Sequence, residues 1–123
     1  MASILVVDDD PALRAMLERM LVIDGHKVTA ATNGAVALRL LDDSNFDLVI
    51  TDLVMPGVEG MQLLREMRAR PLRQKAIAMS GGGRGSAANY LELATACGAA
   101  ATLEKPFTRQ ELVDAITLVL GAN

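Results

Sequence analysis

The chain has 123 residues, of which 51% are hydrophobic, 22% are charged and only 2% are aromatic. Its 12 basic and 15 acidic side chains give a formal net charge of −3. This length suits one compact domain that buries roughly two-thirds of the surface its unfolded chain would expose. The high apolar content argues against intrinsic disorder, and the lack of excess positive charge argues against direct nucleic-acid binding.

Single cysteine and histidine residues limit the kinds of site that the chain can build. Cys97 has no partner for an internal disulfide, and one cysteine and one histidine, His26, are too few ligands for a Cys- or His-based metal centre. No apolar segment approaches the roughly 20 residues that span a bilayer. The run at residues 4–7 is too short for a signal peptide and leads into three aspartates. We therefore expect a soluble cytoplasmic protein that does not contact membranes.

The first segment with a clear pattern is residues 3–7, which are typical of a buried strand. Asp10 is a favourable N-cap, and Pro11 suits the first position of a helix, where a missing amide N–H has no cost. Gly25 ends this helix, and Arg14 is predicted to face outward. The apolar residues at helical spacing are predicted to face the core: Leu13, Met16, Leu17, Met20 and Leu21.

The rest of the chain repeats this alternation of strand and helix. Further strands are predicted at residues 27–31, 47–51, 75–79 and 99–103, and further helices at residues 34–43, about 59–69 and about 86–97. A last helix opens with a capping box formed by Thr108 and Glu111. Five such units predict an α/β domain over residues 1–123, with a parallel sheet that is covered by helices on both faces.

Polar side chains follow four of the predicted strands: Asp8, Asp9, Asp10, Asp52, Ser80 and Lys105. The carboxyl ends of parallel strands share one edge of the sheet, where such folds bind ligands. Asp10 is expected to act mainly as a helix cap.

The other carboxylates repel one another unless a cation joins them, and hard oxygen ligands favour Mg²⁺. Mg²⁺, an ammonium and a hydroxyl stabilise a transferring phosphoryl group, which a carboxylate can accept. These residues predict metal-assisted phosphoryl chemistry.

These residues and their neighbours closely resemble the receiver domain of bacterial two-component response regulators, of the single-domain chemotaxis type. The matching stretches are residues 4–9 (Ile-Leu-Val-Val-Asp-Asp), residues 52–57 (Asp-Leu-Val-Met-Pro-Gly), Ser80 and residues 103–107 (Leu-Glu-Lys-Pro-Phe). The resemblance covers essentially the whole chain. It implies a flavodoxin-like (βα)₅ fold with a doubly wound five-stranded sheet in the order 2-1-3-4-5. It also implies a phosphorylation-switched signalling module rather than an enzyme, with no output domain in this chain.

The resemblance implies a role for each residue of the site. Asp52 would accept the phosphoryl group, Ser80 would donate a hydrogen bond to its oxygens, and Lys105 would pair with them. The family's Lys-Pro bond is usually cis, which we expect for Lys105–Pro106. The Mg²⁺ ligands would be Asp8 (through a water), Asp9, Asp52 and the backbone carbonyl of Val54.

The resemblance also implies the partners of the chain. A sensor histidine kinase or a histidine phosphotransfer protein would donate the phosphoryl group after docking near the first helix. Phosphorylation would then shift the loops and the fourth helix between two packings. The result would be binding to a downstream protein, or onward transfer of the phosphoryl group.

Some positions depart from the family pattern. Thr102 stands where an aromatic residue commonly gates the switch, and Glu59 stands where Asp is common. The glycine-rich residues 81–85 lengthen the segment before Lys105. We interpret them as a switch loop rather than a phosphate cradle or an ordinary long turn, because their spacing does not make a P-loop. Val54 and Gly82 lie where family members often tune hydrolysis, and neither can orient a water molecule, which predicts a long-lived phosphoryl group.

Two other functions remain open at this stage. Asp8 and Asp10 resemble the nucleophile motif of haloacid-dehalogenase-type phosphohydrolases, although Pro11, the lack of a cap domain and the unexplained Asp52 argue against an enzyme of that type. A protein-binding scaffold that is never phosphorylated is compatible with Thr102. A basic run at Arg65, Arg68, Arg70, Arg73 and Lys75 is typical of a solvated helix end rather than of a nucleic-acid surface.

Overall fold

The computed structural model describes residues 2–53, 60–70, 75–81, 94–96 and 98–121. Its strands are β1 (Ser3–Val7), β2 (Lys27–Ala31), β3 (Leu48–Asp52), β4 (Lys75–Gly81) and β5 (Ala101–Lys105). Its helices include α1 (Pro11–Ile23), α2 (Gly34–Asp43), α3 (Gly60–Arg68) and the C-terminal helix (Arg109–Leu120). All strand pairs are parallel, and the order β2-β1-β3-β4-β5 confirms the predicted topology. Among the described residues, no helix is long and apolar enough to cross a bilayer.

Apolar cores lie on both faces of the sheet. Because successive side chains of a strand point to opposite faces, β1 contributes to both cores. Leu5 and Val7 pack with α2 and α3, whereas Ile4 and Val6 pack with α1 and the C-terminal helix. The helices therefore cover both faces, as the alternating sequence predicts.

Side-chain caps fix where two of the helices begin. The Asp10 carboxylate accepts hydrogen bonds from the amides of Ala12 and Leu13 at the start of α1. Thr108 and Glu111 form the predicted capping box, in which each side chain accepts a hydrogen bond from the other residue's amide. Each cap lies three residues after the end of a strand, so the caps also restrict the path of the chain where β1 and β5 leave the sheet.

The prediction of the fifth strand at residues 99–103 is wrong by two residues. Gly98 adopts a φ of +107°, and the amide of Ala99 donates to the carbonyl of Ala94. This is the pattern by which a chain ends a helix, so the strand cannot begin until that turn is complete. As a consequence Lys105 is the last residue of β5 rather than a residue beyond it.

Two other strands reach further toward the carboxyl edge than predicted. The prediction ends the third strand at residue 51 and the fourth at residue 79, but β3 includes Asp52 and β4 continues to Gly81. Parallel pairing accounts for both extensions, since Asp52 lies opposite Met79 and Gly81 lies opposite Lys105. The polar residues at this edge are therefore held within the ladder of the sheet.

The outward and inward faces of α1 differ from the prediction at two positions. Leu17 and Leu21 are buried as expected, but Met16 is 43% exposed. Successive helical residues are about 100° apart, and this rotation turns Met16 away from the core that Leu17 enters. Arg14 is half-buried instead of outward, and its side chain turns back toward the end of β1.

Described members of the basic run make contacts within the fold. Arg68 donates to the carbonyl of Ala96, and Lys75 donates to the carbonyl of Val119 near the end of the C-terminal helix. Arg70 forms an ion pair with α2. Cations near helix carbonyl ends are favourable, so Arg68 and Lys75 stabilise the ends of helices, and they are bound within the fold rather than only solvated as predicted.

Several sequence predictions concern residues outside the described ranges. They are the Val54 carbonyl, Glu59, Arg73, the glycine-rich residues 82–85, most of the fourth helix at residues 86–93, and Cys97. Of that helix, residues 94–96 are described and are helical.

Candidate functional site

The register of the sheet gathers the predicted polar residues at one edge. Val7, the last residue of β1, lies opposite Thr51, so Asp8 and Asp52 both follow that pair. Asp52 in turn lies one strand away from Ser80, and Ser80 one strand away from Lys105. Four separate segments of the chain therefore meet at the carboxyl edge, as the sequence predicts.

Three carboxylates come together at this edge. Asp8, Asp9 and Asp52 each offer one oxygen, and these oxygens all lie within 4.8 Å of one another. Asp8 and Asp52 are buried, whereas Asp9 is exposed to solvent. An all-oxygen donor set with one side open to water fits a hard divalent cation such as Mg²⁺, which keeps several of its own waters.

Lys105 is shared between two of these carboxylates. Its Nζ lies 3.1 Å from Oδ2 of Asp8 and 3.4 Å from Oδ1 of Asp52. One ammonium faces two buried carboxylates, so this group carries an excess negative charge before Asp9 is counted. Such an excess of negative charge favours the binding of a cation.

Both carboxylate oxygens of Asp8 accept hydrogen bonds, which fix its side chain. Oδ1 accepts a hydrogen bond from the amide of Asp10 at 2.9 Å, and Oδ2 accepts one from Lys105. The Asp8 amide donates to the carbonyl of Ala31, at the end of β2. Asp8 is fully buried, and these bonds compensate for the loss of water around its charge.

The Asp52 carboxylate is oriented by its own backbone and has a perturbed acidity. The amide of Leu53 donates to its Oδ1 at 2.9 Å, and the buried Thr51 hydroxyl donates to its carbonyl oxygen. Burial raises the pKa of the Asp52 carboxyl above its ordinary value; the Lys105 ammonium partly offsets this rise, and the Asp8 carboxylate adds to it. A buried carboxylate whose pKa is raised beside a lysine is a common sign of a functional site.

The remaining predicted residues lie beside this group. Ser80 is buried in β4, and Thr102 is half-buried in β5. The Lys105–Pro106 bond is cis, as expected. Asp10 uses its carboxylate to cap α1, which agrees with its predicted role as a cap and leaves it outside the group around Lys105.

One residue near the site is not predicted from the sequence. The Nη1 group of Arg14 donates to the carbonyl oxygen of Asp8 at 2.8 Å. Its position in the first turn of α1 gives no periodic signal, because an arginine there fits an outward face equally well. The contact becomes visible only when the turn between β1 and α1 is known.

Comparisons with known proteins agree on one family. The profile of the response regulator receiver domain matches residues 4–117. Among curated relatives, the protein PetR of Rhodobacter capsulatus is 35% identical over 117 residues, which cover 95% of this chain and 48% of PetR. The sensor protein EvgS of Escherichia coli is 36% identical over 106 residues, which cover 86% of this chain and 9% of EvgS. The chain thus spans less than half the length of these relatives.

Solved structures give the same result. A response regulator receiver domain protein from Clostridium thermocellum is 34% identical with a TM-score of 0.88, covering 98% of this chain and 94% of that one. The receiver domain of the Francisella response regulator 1452 is 26% identical with a TM-score of 0.85, covering 96% of each chain. These similarities extend over the whole sheet and its helices.

Proposed function

The chain belongs to the response regulator receiver domain family and is a phosphorylation-switched signalling receiver, and we propose that Asp52 is its phosphoacceptor. The observation that carries this proposal is the position of Asp52, a buried carboxylate that contacts Lys105 and lies next to Asp8 and Asp9. Within the group it is the carboxylate in the middle of the sheet, between the acidic turn after β1 and Ser80 in β4.

In the proposed reaction the donor is a phosphohistidine on a sensor kinase or a phosphotransfer protein. A carboxylate oxygen of Asp52 attacks the phosphorus and forms a new O–P bond. The N–P bond breaks, and the histidine nitrogen leaves with the bonding electrons and takes up a proton. The product is an acyl phosphate on Asp52, with Ser80 and Lys105 placed to bind the phosphoryl oxygens.

The three carboxylates fit Mg²⁺. We assign it to Asp9 and Asp52 directly and to Asp8 through a water, together with the Val54 carbonyl that the family resemblance implies. When bound, Mg²⁺ neutralises charge on the phosphoryl oxygens during transfer. Lys105, whose ammonium contacts both Asp8 and Asp52, would supply a second positive charge to the same phosphoryl oxygens. Ser80, one strand away from Asp52, supplies a hydroxyl donor.

Phosphorylation would alter the contacts of Lys105. The ammonium that now lies between Asp8 and Asp52 would turn to the phosphoryl oxygens, at the last residue of β5 and directly before the C-terminal helix. We propose that this change alters the surface that a downstream protein recognises, or prepares the phosphoryl group for onward transfer.

The acceptor assignment is tested by intact-mass spectrometry after incubation with Mg²⁺ and phosphoramidate, a small donor with an N–P bond. We expect one added phosphoryl group on the parent chain and none on Asp52→Asn. Asp43→Asn removes a carboxylate from the exposed end of α2 and should be modified like the parent. Equal modification of Asp52→Asn would contradict the assignment, and no modification of the parent would favour an unphosphorylated scaffold.

The outward face of α1 is the surface that we propose for the phosphohistidine donor. It carries exposed apolar side chains, with Met16 at 43%, Val22 at 55% and Ile23 at 71% exposure. The helix begins directly after the acidic turn, so a protein bound along it would bring its phosphohistidine to Asp52. Single exposed apolar side chains are common on protein surfaces, but three of them on the helix that adjoins the acidic turn favour this helix as the surface that a partner protein covers.

The docking assignment is tested by comparing two kinds of donor. Ile23→Glu should slow transfer from a phosphohistidine protein that phosphorylates the parent chain, and should leave transfer from phosphoramidate unchanged. Leu118→Glu on the C-terminal helix is the matched control, because Leu118 is also exposed, at 76%. If both variants slow transfer equally, or if neither does, α1 is not the docking surface.

A further inference from the structure

We propose that Arg14 is a positioning residue that holds Asp9 in place for metal binding. This inference rests on the proposed function, because it concerns the same acidic group. Asp9 is exposed, and within the described ranges its side chain accepts no hydrogen bond that could fix it. Its carboxylate nevertheless lies within 4.8 Å of those of Asp8 and Asp52, so its backbone must be held by other means.

Arg14 binds the backbone on both sides of Asp9. Its guanidinium donates to the carbonyl of Asp8 at 2.8 Å, and its own amide donates to the carbonyl of Asp10 at 3.0 Å. The first bond fixes the peptide that links Asp8 to Asp9, and the second fixes the start of α1 just after Asp9. Only the guanidinium bond depends on the side chain, so a substitution can remove it while the helix bond remains.

Other bonds at this turn hold Asp8 and the peptide between Asp9 and Asp10, but they do not hold the peptide between Asp8 and Asp9. The amide of Asp8 is bound to Ala31, and its carboxylate is bound to Asp10 and Lys105. The Asp8 carbonyl is the remaining polar group, and Arg14 is the side chain that binds it. Without that bond the peptide plane before Asp9 could rotate, and the Asp9 carboxylate would no longer be held toward the other two.

A simple charge effect predicts the opposite result, which makes the role testable. A guanidinium close to a divalent cation repels it, so removal of the Arg14 charge alone would tighten Mg²⁺ binding. Loss of a group that orients a ligand weakens binding instead, by about 10- to 100-fold for outer-shell partners of metal ligands. The two explanations differ in the sign of the change.

The experiment measures the dissociation constant of Mg²⁺ by isothermal titration calorimetry, with far-UV circular dichroism to confirm folding. Arg14→Met should raise the Kd about 10-fold, near the lower end of the range for such partners. Arg14→Lys can still donate one hydrogen bond and should fall between the parent and Arg14→Met. The control is Arg19→Met, which removes the same charge from an exposed position on α1 and should not weaken binding.

An unchanged or tighter Kd for Arg14→Met would overturn the positioning role, and so would equal weakening by Arg19→Met. If Arg14→Met does not fold, Arg14→Ala takes its place; an unchanged or tighter Kd for that variant would overturn the role, and a weaker Kd would support it. The proposed function fails separately, if the parent binds Mg²⁺ but is not phosphorylated at Asp52. A parent that does not bind Mg²⁺ at all would overturn both.

Discussion

The ion pairs at the carboxyl edge and those on the surface are built differently. Among the described residues, each cation of a surface ion pair has one acidic partner: Arg70, just after α3, pairs with Asp42 in α2, and Arg109 pairs with Asp24 near the end of α1. At the edge of the sheet Lys105 is shared by two carboxylates that are almost entirely removed from water. The surface pairs are balanced, whereas the buried group lacks one positive charge.

This difference separates charges that stabilise the fold from charges that serve a ligand. A balanced surface pair contributes little and has little cost, because one partner of each pair remains well exposed to water. A buried group with excess negative charge is unfavourable in the folded chain, and the raised pKa of Asp52, which is caused mainly by its burial, is one sign of this. We infer that the fold tolerates this group because a cation and a phosphoryl group complete it.

The largest effect that this contrast predicts is on the rate of phosphorylation when the shared cation is lost. Lys105→Met should slow phosphorylation by phosphoramidate about 100-fold, since removal of one fixed electrostatic group commonly slows a reaction by that factor or more. The measurement is the initial rate of adduct formation by intact-mass spectrometry at saturating Mg²⁺. Lys27→Met, at the exposed start of β2, is the matched control and should react like the parent. A parent-like rate for Lys105→Met would show that the shared contact is not needed.

A second prediction concerns stability and its dependence on pH. Because the pKa of Asp52 is raised in the folded state, mainly by burial, the folded chain binds the proton more tightly than the unfolded chain. Ionisation of Asp52 therefore opposes folding, and the loss appears as pH rises through the raised pKa. At neutral pH without Mg²⁺, Asp52→Asn should therefore be more stable than the parent, because it removes a buried charge and leaves Lys105 paired with Asp8.

The gain from Asp52→Asn should shrink as pH falls through the raised pKa of Asp52 and should vanish below the ordinary pKa of an aspartate, because the parent is then protonated in both the folded and the unfolded state. Urea unfolding followed by circular dichroism at several pH values measures this trend. Asp43→Asn should show no comparable gain, since its carboxylate is exposed. A constant difference across pH, or a loss of stability at neutral pH, would contradict the explanation.

The smallest predicted effect belongs to the surface. A double-mutant cycle with Arg70→Met and Asp42→Asn should give a coupling energy of about 0.5 kcal/mol, as is usual for exposed pairs. Asp42 is well exposed, which keeps the interaction weak. A coupling of several kcal/mol would mean that the two classes of ion pair differ less than their burial suggests.

Much of the site could be predicted because strand ends are readable in the sequence. Each short apolar segment ends at a polar residue, and a parallel sheet brings those ends together, so the sequence pattern alone groups Asp8, Asp52, Ser80 and Lys105. Their order along the chain then matches a known family. The contact of the Lys105 ammonium with both Asp8 and Asp52 could not be predicted in this way, because it depends on distances of a few ångströms.

The start predicted for the fifth strand and the outward position predicted for Arg14 are both wrong for local reasons. The predicted fifth strand begins too early because Ala99 and Ala100 fit a buried strand equally well, and only the left-handed conformation of Gly98 shows that the preceding turn is unfinished. The outward position predicted for Arg14 is wrong because periodicity assigns a residue to a helix face but does not say where a long side chain reaches. Its contact with Asp8 depends on how the chain turns between β1 and α1.

The most direct test of the central claim identifies the phosphorylated residue itself. The parent chain is incubated with Mg²⁺ and phosphoramidate, then reduced with borohydride, which converts a phosphorylated aspartate to homoserine, and its peptides are mapped by tandem mass spectrometry. We predict homoserine at position 52 and at no other aspartate. Homoserine at position 8 or 9 without homoserine at position 52 would contradict the assignment of Asp52. Homoserine at position 8 would also favour a phosphohydrolase, whose nucleophile motif Asp8 and Asp10 resemble.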